Sequence, residues 1–174
     1  RYLPSVVEAA RRQTNSEVIV VDNASTDGSA EFLRERFPNV RLIQLPRNEG
    51  FGGGSNIGFT AAKNEIVVLL NSDMRVEPDF LAPLLEGFGD PRVFSVTSQI
   101  FLSDPHKRRE ETGLTQGWWH RGRLRVRHRE DQAVTQTFPC FYGGGGSTAF
   151  DRRKFLELGG FDSLLAPFYL EDTD

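Results

Sequence analysis

The chain has 174 residues, 38% hydrophobic and 26% charged, enough for one domain with a packed core. A net charge of −3 removes any global electrostatic case for nucleic acid, and no apolar run approaches a membrane span. The lone cysteine, Cys140, excludes an internal disulfide and a cysteine-rich zinc site.

In chain order, Leu3, Val6, Val7 and Ala10 follow i, i+3, i+4, i+7 spacing, which predicts an amphipathic helix to about Gln13. Glu17 to Val21 reads as a buried strand ending at Asp22. The turn-forming run Asn23-Ala24-Ser25-Thr26-Asp27-Gly28 then leads into a helix from Ser29 to Phe37, with Asp27 as a cap or turn residue. Val40 to Leu45 is the next strand, and Ser55 is placed to cap a short helix through Ala62. Ile66-Val67-Val68-Leu69-Leu70 reads as a fully buried parallel strand that runs into Asn71-Ser72-Asp73. Pro78 sits as a first-turn residue of a helix to about Phe88, with a kink expected at Pro83, and Val93 to Leu102 has strand character. The Gly143–Gly146 run predicts a turn before a strand, and Arg152 and Arg153 open a short helix that Gly159-Gly160 stops. This alternation implies an α/β fold with a mostly parallel central sheet flanked by helices.

The stretch 104–131 departs from that pattern. It carries Lys107, Arg108, Arg109, Arg121, Arg123, Arg125, Arg127 and Arg129 with the adjacent Trp118 and Trp119, and Arg123-Leu124-Arg125-Val126-Arg127 alternates with period two as on an edge strand or hairpin. A solvated strand face is one reading. Contact with a phosphate-bearing or sugar acceptor, with the tryptophans as a stacking platform, is another, and nucleic acid is a distant third.

In open α/β sheets, ligands bind beyond the carboxyl ends of the strands. Asp22 and Asp73 both stand there. Asp73 can hold a divalent cation against a diphosphate, while Asp22 reads either as a ligand contact or as a turn-capping aspartate. The glycine run from Gly50 to Gly58 lets backbone N–H groups approach an anion, yet it lacks the lysine of a P-loop. An acidic cluster, Glu171-Asp172-Thr173-Asp174, closes the chain.

Taken in order, Val18 to Ser29, Asn48 to Gly58, Leu69 to Asp73, and Gly159 to Asp162 with Phe168 to Asp174 resemble the family-2 glycosyltransferases of the GT-A fold, a Rossmann-like nucleotide-diphospho-sugar transferase domain. The Asn-x-Gly-x-Gly-Gly-x-x-Asn-x-Gly form of the second segment is similar to the rhamnosyl- and galactofuranosyl-transferase-like branch. The resemblance implies an inverting enzyme that moves a sugar from a UDP- or dTDP-sugar to a glycan or lipid-linked acceptor, with Mg²⁺ or Mn²⁺. It implies donor contacts at Asp22, Asn23, Ser25, Arg47, Asn48, Gly50, Asn56 and Asn71, the metal at Asp73, and the catalytic base at Asp172 with Glu171 as the alternative. Asn71 departs from the family's Asp-x-Asp motif by replacing its first acid.

On this reading 1–102 is the nucleotide-sugar half, 104–131 an inserted segment and 132–174 the acceptor-side half of one incomplete domain. The family also implies a further apolar strand ahead of the first helix and chain beyond the acidic motif. The expected setting is cytoplasmic, with peripheral association at the inner membrane face. A non-catalytic nucleotide-sugar- or glycan-binding domain and a nucleotidyltransferase are the alternatives.

Overall fold

The computed structural model describes residues 2–13, 15–101, 114–128 and 136–165. Glu171 and Asp172 lie outside the described residues. The first half alternates helix and strand: α1 (Leu3–Arg11), β1 (Ile19–Asp22), α2 (Ser29–Arg36), β2 (Arg41–Gln44), α3 (Gly50–Ala61), β3 (Ile66–Leu70) and α4 (Leu81–Glu86). The second half is richer in strand: β4 (Ser95–Thr97), β5 (Thr115–His120), β6 (Arg123–His128) and β7 (Ser147–Asp151), followed by α5 (Arg152–Glu157).

The sheet is less parallel than the alternation predicts. β1 pairs with β2 in parallel, Asp22 opposite Gln44, but β7 lies between β3 and β4 and runs antiparallel to both. Antiparallel neighbours need no crossover helix, and β7 arrives from the β5–β6 hairpin rather than from a βαβ unit. β3 is accordingly half-buried instead of fully buried. One of its edges is satisfied by β7, and it shares a cavity of about 640 Å³ with β1. Val7, Val20, Val21, Val67 and Leu69 are among the cavity's apolar walls.

Apolar residues collect in clusters on either side of this cavity. Val6 and Val7 of α1 pack with Leu33, Phe37 and Val40, which follows from the helical spacing of the first segment. Phe59, Phe150, Phe155 and Phe161 form the other cluster, where the Phe59 and Phe155 rings stack with centroids 3.8 Å apart.

Two helices differ from expectation. Pro83 is the third residue of α4, within the first turn, where a backbone N–H has no intrahelical acceptor to lose, so the helix proceeds through it. That helix is short and passes into a 3₁₀ turn at Gly87–Gly89. α3 begins at Gly50 rather than near Ser55, so the glycine run is itself helical. Glycine costs a helix about 1 kcal/mol per residue relative to alanine. Here it permits close approach to β1: a Cβ at Gly54 would stand 3.4 Å from Asn23 Nδ2, and one at Gly58 3.4 Å from Val21 Cγ2.

Candidate active site

At the end of β1, Asp22 is buried, and both carboxylate oxygens are engaged. Oδ1 accepts the Ser25 N–H at 3.0 Å and Oδ2 accepts Gln44 Nε2 at 3.1 Å. Burial pushes its carboxyl upward, but the bonds from Ser25 and Gln44, with the charge of Arg34, outweigh burial and hold it below the ordinary aspartate value. Ser25 contributes its backbone N–H, and its side chain is exposed. The partnership with Gln44 was not legible in the sequence, because it depends on the parallel register that sets Asp22 opposite Gln44.

Asn23, the next residue, holds the backbone on either side of the Glu49–Gly50 link with the two ends of its amide. Nδ2 donates to the Gly50 carbonyl at 2.8 Å, and Oδ1 accepts the Glu49 N–H at 2.8 Å. Asn48 Oδ1 accepts the Gly50 N–H at 2.8 Å, and Gly50 takes a φ of +73°, which glycine adopts without a Cβ penalty. The start of α3 is thereby pinned to the end of β1. Arg47 is exposed and already paired with Glu49, Nε to Oε1 at 2.6 Å. Asn56 was expected at the donor. Its amide instead donates to the Phe161 carbonyl at 2.9 Å and accepts the Phe161 N–H at 2.9 Å, which locks α3 to the segment after α5. The far end of α3 is held by cations: Arg152 donates to the carbonyls of Phe59 and Thr60 at 2.8 and 3.0 Å, and Arg41 to that of Ala61 at 2.6 Å.

At the end of β3, the Asn71 N–H donates to the Gly146 carbonyl at 3.0 Å, and the Asn71 carbonyl accepts the Met74 N–H at 3.2 Å. The glycine run 143–146 therefore borders the same strand end. A Cβ at Gly145 would lie 2.8 Å from Phe51 Cζ, so the ring would have to shift, and one at Gly146 would lie 3.0 Å from Met74 Cε, an unusually tight approach. Asp73 is exposed, and its carboxylate makes no hydrogen bond or ion pair among the described residues.

Where β1 and β3 end, the cavity between them is lined by Asn23, Gly50, Phe51, Asn71 and Ser72. The structure thus brings Asn23, Gly50 and Asn71 of the expected set to one cavity. Asp22, Ser25, Arg47, Asn48 and Asn56 are outside its lining, and Asp73 lies one residue beyond it. Phe51 and Gly145 were not singled out from the sequence as donor-side residues. The Phe51–Gly145 approach couples segments far apart in the chain, and no local pattern encodes it.

Among the described residues no group of three or more His, Cys, Asp or Glu side chains converges. A divalent cation still fits the end of β3. Mg²⁺ in particular is held by one or two carboxylates, with substrate phosphates and water completing its shell, and Asp73 is an uncommitted carboxylate in that position.

Comparison with known proteins places this geometry. The family model described as glycosyl transferase family 2 matches residues 1–159. The chain belongs to glycosyltransferase family 2. An uncharacterized glycosyltransferase of Nostoc sp. is 32% identical over 67% of this chain and 38% of its own length. The N-acetylglucosaminyl-diphospho-decaprenol L-rhamnosyltransferase of Mycobacterium tuberculosis is 27% identical over 100% of this chain and 63% of its own, in keeping with the rhamnosyltransferase-like branch. The chain thus spans between about a third and two thirds of these relatives' lengths. Among solved structures, GalNAc-T7 with UDP, GalNAc and Mn²⁺ superposes with a TM-score of 0.71 at 20% identity, covering 98% of this chain and 36% of that one. The family-2 chain has the GT-A fold.

Proposed function

We propose that this domain binds a UDP- or dTDP-sugar where β1 and β3 end and transfers the sugar, with inversion, to a hydroxyl of a glycan or lipid-linked acceptor. The observation that carries the reading is the uncommitted Asp73 carboxylate at the end of β3, beside a cavity lined by Asn23, Gly50 and Asn71. Asp22, with lone pairs remaining after Ser25 and Gln44, accepts the ring N–H of uracil or thymine. Ser25, Arg47 and Asn48 border the donor's ribose and diphosphate. Asn56 acts at one remove, by fixing α3 through Phe161. Asp73, with Asn71 as a neutral oxygen donor beside it, would hold Mg²⁺ or Mn²⁺. Such an ion supplies electrostatic stabilisation of the diphosphate leaving group, worth several kcal/mol.

Asp172, or else Glu171, takes the proton of the acceptor hydroxyl as its oxygen forms a bond to the anomeric carbon. The bond from that carbon to the diphosphate breaks on the opposite face, and nucleoside diphosphate leaves. The M. tuberculosis relative is named for a diphospho-decaprenol acceptor. That name favours a lipid-linked acceptor here, met at the inner face of the cell membrane.

The reading is tested on the full-length protein with a panel of UDP- and dTDP-sugars and lipid-linked acceptors. Acceptor-dependent release of nucleoside diphosphate supports it, and release of inorganic diphosphate would instead mark a nucleotidyltransferase. The neutral Asn71 in place of an acid favours a second reading, a non-catalytic nucleotide-sugar-binding domain. Donor binding without release across the panel would establish that one.

A further inference from the structure

The hairpin β5–β6 forms a sheet of its own, hydrogen-bonded to neither of the others. Its root is fixed: Thr115 is buried, its Oγ1 donates to the Tyr142 carbonyl at 2.7 Å, and it accepts the Tyr142 N–H at 2.8 Å. The Phe141 ring fills the space beside Gly117, where a Cβ would come within 2.5 Å. From that root the hairpin projects to a tight turn at Arg121-Gly122, with φ of +50° and +73°.

Its register sorts side chains by face. Trp118 lies opposite Arg125, His120 opposite Arg123, and Gln116 opposite Arg127, so one face carries three guanidinium groups. Arg127 lies over the Trp118 ring at 5.4 Å and donates to Gln116. Arg121, Arg123 and Arg125 make no ion pair among the described residues. On the other face Trp119 lies opposite Leu124 at the tip, beyond the cover of Phe141; Trp119 is 74% exposed and Leu124 42% exposed. Trp119 and Leu124 thus form an exposed apolar pair at the tip of an arginine-covered hairpin, and the chain's net charge of −3 makes this patch a local reversal of sign.

We propose that the β5–β6 hairpin docks the protein on an anionic bilayer. Trp119 and Leu124 enter the headgroup–acyl boundary, and Arg121, Arg123 and Arg125 pair with lipid phosphates. Tryptophan is favoured at that depth, and arginine stems can lie along the boundary while the charged ends stay at the phosphates. These three arginines, without carboxylate partners among the described residues, are the charge complement of such a surface. Trp119 stands on a convex tip, where it meets a flat surface better than it encloses a sugar ring. The inference does not rest on the donor-site reading, and nucleotide titration of the same samples reports on that site separately.

Trp118 and Trp119 are the chain's only tryptophans, so intrinsic fluorescence reports on this hairpin alone. The experiment adds vesicles of phosphatidylglycerol and phosphatidylcholine, or of phosphatidylcholine alone, and follows emission together with co-sedimentation. With anionic vesicles, emission should shift to the blue, be quenched by lipids brominated on their acyl chains, and recover as salt is raised. Each arginine near such a surface is worth about five-fold in partitioning, so the double variant Arg123→Gln, Arg125→Gln should partition about 25-fold less. Trp119→Ser should weaken binding and remove most of the blue shift, and an unchanged urea unfolding transition would show that these variants fold. Absence of binding to anionic vesicles, equal binding to neutral ones, or a response to a soluble isoprenoid diphosphate or an oligonucleotide but not to vesicles would overturn the proposal.

Discussion

Asparagine amides hold the site's backbone in place at two points. Asn56 bonds both the N–H and the carbonyl of Phe161, so truncation leaves two half-buried backbone groups without their partner. Unsatisfied groups of this kind cost about 1–3 kcal/mol each. Asn56→Ala should therefore lower stability by at least that amount in denaturant titration, and Asn56→Asp, which keeps only the acceptor, should fall between the two. Asp22 gives a pH signature. A carboxyl held below its unfolded value contributes stability above the unfolded pKa of about 3.9 and loses it as pH falls through the folded value. Asp22→Asn removes that titration while leaving an oxygen for the Ser25 N–H. The variant should lose less stability than the parent between pH 4 and more acidic conditions, measured by urea unfolding across that range.

At the scale of elements, α3 joins the parts of the fold. Its start is bonded to the end of β1, its middle to Phe161, and its end to Arg41 and Arg152. Phe59, on its buried side, stacks on Phe155 of α5 and meets Phe150 of β7 edge-on. Phe59→Ala should cost about 3–5 kcal/mol, because the surrounding rings come from separate elements and cannot close the gap together. A cost below about 1 kcal/mol in chemical denaturation would show that this cluster is not the anchor of α3.

The helix also marks where the sequence was readable. Apolar spacing announced α1 and apolar runs announced β1 and β3, while the turn residues 23–28 marked the start of α2. The start of α3 was hidden because glycine argues against helix, and only contacts from Asn23 and Asn48 make Gly50 its first residue. The antiparallel place of β7 was equally hidden, since strand order depends on pairing between residues roughly eighty positions apart, such as Ile66 and Asp151.

At the scale of the whole molecule, the parallel pair β1–β2 and the antiparallel group β3–β7–β4 are separate sheets among the described residues, and Asn23, Gly50 and Asn71 come together where β1 and β3 end. The carboxyl-end rule placed Asp22 and Asp73 correctly at their strand ends, but it could not distinguish their states. Asp22 is buried and engaged, whereas Asp73 is exposed and, among the described residues, uncommitted. That contrast separates a carboxylate that shapes the pocket from one available to a cation. The most direct test is calorimetric titration of UDP and dTDP into the protein, with and without Mn²⁺, alongside Asp73→Ala. Nucleotide binding should be strengthened by Mn²⁺ in the parent and left unchanged by it in the variant. Binding that is indifferent to Mn²⁺ in the parent, or an equal Mn²⁺ effect in Asp73→Ala, would contradict metal binding at Asp73.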